Sequence, residues 1–103
     1  MYFVTVEKET IEIINKQISE AICMVPYMAR MLSNPNIDVT IFALTSERDF
    51  YLGALWASAI DFIVAKIKKE YHRPPTDEEN GFAAKLMISR VEEFKEAIAK
   101  LGL

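Results

Sequence analysis

Residues 50–65, FYLGALWASAIDFIVA, form the most apolar stretch of this 103-residue chain. Only Ser58 and Asp61 interrupt it with strongly polar side chains. A segment with apolar residues around most of its circumference predicts a helix that is buried on most sides. Ser46, a residue type favoured at helix N-caps, marks the expected start, and the helix should run to about Tyr71.

Two amphipathic stretches flank this segment, and both predict helices that bury one seam against partners. In each stretch, apolar residues recur at alternating steps of three and four. The seam of the first helix contains Ile11, Ile14, Ile18, Ala21, Val25, Met28 and Leu32. The seam of the last helix contains Ala84, Met87, Val91, Phe94, Ile98 and Leu101.

Prolines and a capping pattern divide these helices. Pro26 falls inside the first seam, where it removes an amide donor and clashes with a carbonyl one turn back, so a kinked helix or two helices end to end are expected. Pro74 and Pro75 end the central helix. Thr76, followed by Glu79 three residues later, is a capping-box pattern that predicts the start of the last helix.

The remaining segments are less regular. Pro35 follows the breaker Ser33-Asn34 and predicts a short helix over residues 35–44, although alternation of Ile37, Val39 and Ile41 with polar residues also fits a short strand. Residues 1–6 are β-prone and are expected to form an extended arm. The predicted fold is all-α, a single domain over 1–103. It is a small bundle of three long helices plus one shorter helix, with the first helix kinked at Pro26.

Composition favours a protein partner. Apolar residues make up 51% of the chain and the mean hydropathy is +0.10, which is high for a small helical bundle and suggests further burial against another molecule. The net charge of −3 and the pI of about 5.2 argue mildly against a dedicated nucleic-acid binder. The N-terminus lacks the pattern of a signal peptide. The apolar run is shorter than the ~20 residues that a membrane span needs. No membrane association and a cytoplasmic location are therefore expected.

Residues for catalysis or metal binding are scarce. One histidine, His72, and one cysteine, Cys23, are too few for a closed zinc site or an intramolecular disulfide, and three glycines form no phosphate loop. His72 would be the only histidine base for any serine or cysteine nucleophile, and its place at a helix end beside Arg73 favours a structural or solvent-exposed role. No catalytic residue, cofactor or metal site is predicted, and the chain is not expected to be an enzyme.

Asp61 is the one polar residue that raises a question about chemistry, because it lies within the apolar segment. The favoured interpretation places it on a narrow solvated stripe with Ser58 and Ala65. The alternative is burial, which would require a basic partner from another helix. The candidates for that partner are Arg30, Lys85 and Arg90. A weaker hypothesis is a ligand pocket or an enzyme site around Asp61, lined by aromatics and by Met24, Met28 and Met31.

One side of the central helix carries small residues. Small side chains let another backbone approach closely, either from the same chain or from a second copy. The apolar excess makes self-association a leading interpretation, with a homo-oligomer or another protein as the expected partner. The candidate self-association residues are Gly53, Trp56, Ala57, Ile60 and Ile63. The function predicted first is therefore a non-enzymatic helical interaction or oligomerisation module, either a homodimer or a small subunit of a larger assembly.

A basic cluster at the end of the central helix supports an alternative function. Its members are Lys66, Lys68, Lys69 and Arg73. Such a cluster can contact a phosphate backbone, which would fit a nucleic-acid-associated helical subunit of a ribonucleoprotein or DNA-binding complex. Helix C-termini are also basic because cations there interact favourably with the helix dipole, and this interpretation is favoured.

Overall fold

Five α-helices account for most of residues 6–32 and 46–102, the part of the chain that the computed structural model describes. They are α1 (Lys8–Cys23), α2 (Val25–Leu32), α3 (Glu47–Tyr71), α4 (Asp77–Ser89) and α5 (Val91–Ala99). No β-strand occurs within these ranges, so the predicted all-α class is confirmed. The predicted helix over 35–44, the alternative strand there and residues 1–5 of the predicted arm lie outside the described residues.

The first predicted helix is divided into α1 and α2. The division falls at Met24, whose amide still bonds to the carbonyl oxygens of Glu20 and Ala21. Pro26 becomes the second residue of α2, a position where a missing amide hydrogen leaves no hydrogen bond unmade. The kink predicted at Pro26 is therefore a break two residues earlier, and the arrangement of two helices end to end is the correct one.

The last predicted helix is also divided, and the expectation of one continuous helix is wrong. The chain leaves helical geometry at Arg90, which has φ −107° and ψ 13°. The Ser89 hydroxyl donates to the carbonyl oxygen of Leu86 at 2.6 Å, a local bond that competes with regular helix geometry. The Arg90 guanidinium then bonds the carbonyl and side-chain oxygens of Asn15 on α1, which ties the α4–α5 junction to the first helix.

The central helix has the predicted bounds. The Ser46 hydroxyl accepts a hydrogen bond from the amide of Asp49 at 3.2 Å and caps the start of α3. The helix ends at Tyr71, where His72 adopts a left-handed conformation with φ 54°. Complete burial follows one line of the helix, and most other positions of residues 50–65 are half-buried, so the predicted burial on most sides holds only in part. The buried residues of α3 are Tyr51, Leu55, Ala59, Ile63 and Ile67.

The core forms where this line of α3 packs along α1. Ile14 and Ile18 of α1 are both 0% exposed. Phe94 of α5 is also 0% exposed and completes the core. Helix α3 also contacts α5, and α1 contacts α4 and α5. Helices α3 and α4, by contrast, are not among the closely packed pairs. The core is therefore built on one side of α3, and its opposite side faces away from α1.

The capping box predicted at Thr76 is confirmed. The Thr76 hydroxyl accepts from the amide of Glu79 at 3.1 Å, and the Glu79 carboxylate accepts from the amide of Thr76 at 2.9 Å. We expect Thr76→Ala to lower the free energy of unfolding by about 0.5–2 kcal/mol, because the amide of Glu79 loses its partner at the helix start. Urea denaturation followed by circular dichroism measures this change. An unaltered midpoint would contradict the assigned role of the cap.

The contacts of Glu79 predict that the fold is sensitive to acid. Its side chain is 8% exposed and binds Arg73 through both carboxylate oxygens, at 2.8 and 3.0 Å. The hydrogen bonds from Arg73 hold the pKa of Glu79 below its ordinary value of 4.5, and the Thr76 amide lowers this pKa further. A carboxyl whose pKa is lowered by folding stabilises the native state above its unfolded pKa, and this contribution is lost as the pH falls through the folded pKa.

We therefore expect the free energy of unfolding to fall as the pH drops below about 4.5, and Glu79→Gln to weaken this dependence. The glutamine keeps an oxygen that can accept from the Thr76 amide, so the substitution removes mainly the charge. The matched control is Glu78→Gln, which changes an exposed neighbour in the same turn. Equal acid dependence in the two variants would exclude Glu79 as a source of the effect.

Candidate interaction surface

The outward side of α3 carries an uncharged stripe, which we call the α3 stripe. It consists of Gly53, Ala57, Ile60 and Val64, spaced by four, three and four residues. This spacing places the four residues along one line of a helix. Gly53, Ala57 and Ile60 are exposed and Val64 is half-buried. Apart from Gly53 itself, its two chain neighbours and the adjoining backbone of α3, no described atom lies within 4 Å of the position that a Cβ on Gly53 would occupy. The N-terminal end of the stripe is therefore uncovered by the part of the chain that the structure describes.

A groove of about 260 Å³ between α3 and α4 continues this apolar surface. Ile60 at its edge is 43% exposed, and Ile88, one turn beyond Ala84 on α4, is 62% exposed. The described residues that line the groove are Trp56, Ile60, Ile63, Val64, Asn80, Ala83, Ala84 and Met87. Asn80 is the only member of this set with a polar side chain. The arrangement thus offers an apolar contact surface with very little hydrogen-bonding chemistry.

The five residues predicted for self-association divide into two groups. Gly53, Ala57 and Ile60 are exposed and Trp56 is half-buried, so these four belong to the surface around the α3 stripe. Ile63 is 3% exposed and belongs to the core, where it forms part of the wall of the groove. Trp56 reaches from this surface towards α5, where its ring meets that of Phe94 edge-on with the centroids 6.1 Å apart.

Three residues of this surface were missed by the sequence prediction. Val64 continues the step of four from Ile60, and this spacing alone would have identified it. Ala84 was assigned to the buried seam of the last helix but is exposed. Ile88 lies off that seam, and only the packing of α4 shows that it is exposed.

Asp61 is exposed, as is Ala65 one turn later, while Ser58 is half-buried. Exposure to solvent is therefore confirmed for Asp61 and Ala65 and holds in part for Ser58, and burial of Asp61 against a basic partner is wrong. Arg90, one of the partners considered, binds Glu93 and Asn15 instead.

A second groove, of about 310 Å³, lies between α2 and α3. The described lining includes the predicted methionines and two phenylalanines, but Asp61 is not part of it. Its described members are Ala21, Met24, Tyr27, Met28, Met31, Phe50, Ala54, Leu55, Ser58 and Phe62. This set contains no carboxylate, histidine or cationic side chain that could act in acid–base catalysis. The described ranges also contain no group of three His, Cys, Asp or Glu side chains able to hold a metal ion.

The predicted basic cluster is partly neutralised by nearby carboxylates. Lys66 pairs with Glu70 at 3.0 Å, and Arg73 pairs with Glu79 at 2.8 Å. Lys68 and Lys69 are exposed. Since two of the four predicted cations bind carboxylates of their own chain, the charge that the cluster offers to a phosphate backbone is reduced. Nucleic-acid binding by this cluster stays a prediction.

By length and composition, α3 is also long and apolar enough to cross a membrane, because the helix has 25 residues and contains an apolar stretch of 18. The most apolar stretch of 18 residues in α3 has a mean hydropathy of 1.5, and 28% of this stretch is buried. The core helix of a water-soluble bundle meets the same criteria of length and composition. Since only 28% of the apolar stretch is buried, much of the apolar surface of α3 lies outside the core.

No protein-family model matches this chain, and neither the curated proteins nor the solved structures include one that is recognisably similar to it.

Proposed function

We propose that this chain is a non-enzymatic helical interaction module that self-associates through the outward side of α3, as a homodimer or as a small subunit of a larger assembly. The observation that carries this proposal is the α3 stripe, an uncharged line along the central helix that the described remainder of the chain leaves largely uncovered. Soluble proteins rarely leave large apolar patches in water, and such patches commonly mark contact sites.

The driving force comes from the large side chains along this surface. Fully burying one valine or isoleucine side chain stabilises by about 1.5–3 kcal/mol. Ile60 is 43% exposed and Ile88 is 62% exposed. Covering either side chain in an intermolecular contact would therefore release a substantial part of this free energy of burial. In a two-fold assembly every such contact occurs twice, because the same patch of both copies takes part.

We expect Ala57→Glu to raise the dissociation constant of the assembly by about 100-fold or more. An unpaired carboxylate in an apolar contact costs a few kcal/mol, and each 1.4 kcal/mol corresponds to a factor of about ten. Because Ala57 is exposed in the single chain, its replacement should leave the helical content unchanged. Sedimentation equilibrium over a range of concentrations measures the constant for the wild-type protein and for the variant.

The matched control is Ala65→Glu. It makes the same substitution at another exposed alanine of α3, two turns away and off the α3 stripe. This control should associate like the wild type. The proposal is overturned by a wild-type chain that stays monomeric at millimolar concentration, or by equal effects of the two substitutions. A monomeric chain that instead binds lipid vesicles would assign the apolar surface to a membrane.

A further inference from the structure

We infer that two copies of this chain pack antiparallel, with the α3 stripe of one copy against the α3 stripe of the other across a two-fold axis between Ala57 and Ile60. This inference rests on the proposed self-association and adds the identity and orientation of the partner. Two independent properties of α3 support it: the order of side-chain sizes along the stripe and the distribution of charge between the ends of the helix.

Side-chain size differs between the two halves of the stripe. Its first two members, Gly53 and Ala57, are small, and its last two, Ile60 and Val64, are large. An antiparallel copy places Val64 opposite Gly53 and Ile60 opposite Ala57, so that each large side chain meets a small one. A parallel copy pairs small with small and large with large, which leaves a gap at one end and crowding at the other. Close packing without voids favours the antiparallel arrangement.

The space at Gly53 agrees with this pairing. No described atom outside the adjoining backbone of α3 lies within 4 Å of a Cβ built on this residue, so the single chain leaves room there for a side chain from outside. Glycine and alanine also let the axes of two helices approach closely, because little side-chain bulk separates the backbones.

The charges at the two ends of α3 also favour the antiparallel arrangement. The first turn carries two carboxylates, Glu47 and Asp49, beside one guanidinium. Residues 66–73 carry four cationic side chains and one carboxylate, Glu70. An antiparallel copy brings the acidic start of one helix near the exposed Lys68 and Lys69 of the other, whereas a parallel copy places like charges side by side. The helix dipoles favour the antiparallel arrangement as well.

The α3 stripe alone is narrower than a stable interface, which typically covers about 800 Å² on each partner. The groove between α3 and α4 supplies the additional surface. Trp56 and Ala84 line this groove, and Ile88, one turn after Ala84, is 62% exposed. The two-fold axis would repeat this flank at the opposite end of the contact, so the core of the interface would be apolar and its two ends charged.

Cysteine cross-linking distinguishes the two orientations. Cys23, the single cysteine, is replaced by serine, and Gly53→Cys, Val64→Cys and the control Ala65→Cys are prepared separately in that background. A disulfide cannot form when the Cα atoms are more than about 7 Å apart, so oxidation reports which positions face each other. Molar mass and circular dichroism of each reduced variant first establish that it folds and associates.

The antiparallel arrangement predicts that a mixture of Gly53→Cys and Val64→Cys gives a mixed disulfide dimer. Each of these variants alone should cross-link no faster than the Ala65→Cys control. The pair Ala57→Cys with Ile60→Cys should also give the mixed disulfide, but both positions lie next to the two-fold axis and also come near their own copies. If Gly53→Cys fails to associate, Val64→Cys alone therefore keeps the test decisive, because a parallel dimer would cross-link this variant with itself and an antiparallel dimer would not. Cross-linking of Gly53→Cys with itself, or a dimer in which neither pair cross-links, would overturn the inferred orientation while leaving self-association intact. A monomeric wild-type chain would overturn the proposed function itself.

Discussion

Replacing Phe94 by alanine is expected to lower the free energy of unfolding by about 3–5 kcal/mol. Phe94 is 0% exposed and is the largest of the fully buried side chains. Its ring packs edge-on against Trp56 of α3, with the centroids 6.1 Å apart. The substitution therefore removes buried apolar area and an aromatic pair, and it leaves a cavity where α5 meets α3.

The effect should be large because α5 depends on this contact. The helix has nine residues, and an isolated helix of that length is marginal in water. Phe94 and Ile98 are its two buried residues, so the substitution removes half of the anchoring set. Domains of this size have a total stability of about 5–15 kcal/mol, and the predicted loss is a large part of it.

Urea denaturation followed by far-ultraviolet circular dichroism is the appropriate measurement. Fluorescence is less suitable, because Trp56, the only tryptophan, is in direct contact with the substituted ring. Phe82→Ala on α4 serves as the control, since Phe82 is only half-buried and should lose less stability. A loss below about 1 kcal/mol for Phe94→Ala would contradict the assignment of this residue to the core, because deletion of a buried aromatic ring costs several times more.

Ala59→Glu is the second substitution with a large expected effect. Ala59 is 0% exposed on the side of α3 that packs along α1. A carboxylate at this position would be buried without a partner and would also be too large for the site. The combined penalty is expected to exceed about 4 kcal/mol at neutral pH, enough to abolish cooperative folding if the wild type lies at the lower end of the usual range.

Part of this penalty should depend on pH. Burial raises the pKa of a carboxyl, so the folded variant carries a neutral acid at low pH. As the pH rises above the unfolded pKa of about 4.3, the carboxyl ionises more readily in the unfolded chain, and the free energy of unfolding of the variant falls. The stability difference from the wild type should therefore shrink between pH 7 and pH 4. This direction is opposite to that expected for Glu79, whose pKa is lowered by folding. Thermal unfolding at the two pH values, compared with the exposed control Ala65→Glu, measures the effect, and a pH-independent loss would indicate steric crowding alone.

Helix class and several helix boundaries could be derived from the sequence because they depend on local chemistry. The Ser46 cap and the Thr76–Glu79 capping box involve residues within one turn of each other, so short-range spacing is sufficient to recognise them. The alternating steps of three and four likewise identify the buried seams of α1 and α5, including Ile14, Ile18 and Phe94.

Breaks within a seam were harder to place. The apolar pattern runs without interruption through Arg90, because the helices on both sides of the junction bury the same kind of residue. What divides them is the bond from Ser89 to Leu86 together with the attachment of Arg90 to Asn15, which lies 75 positions away in sequence. Patterns of residues close together in the sequence cannot reveal a contact between residues that far apart.

Only the tertiary structure decided which sides of α3 are exposed. Residues 50–65 are apolar around most of the helix, so the sequence by itself establishes that much of the surface of α3 must be buried. It does not show which sides of α3 are covered by other helices of the same chain. Packing against α1 and α5 covers the line through Ala59 and Ile63, which moves Ile63 into the core and leaves Ala57 and Ile60 at the surface. The physical reason is that burial depends on how neighbouring helices are placed, and this placement depends on contacts among residues that are far apart in the chain.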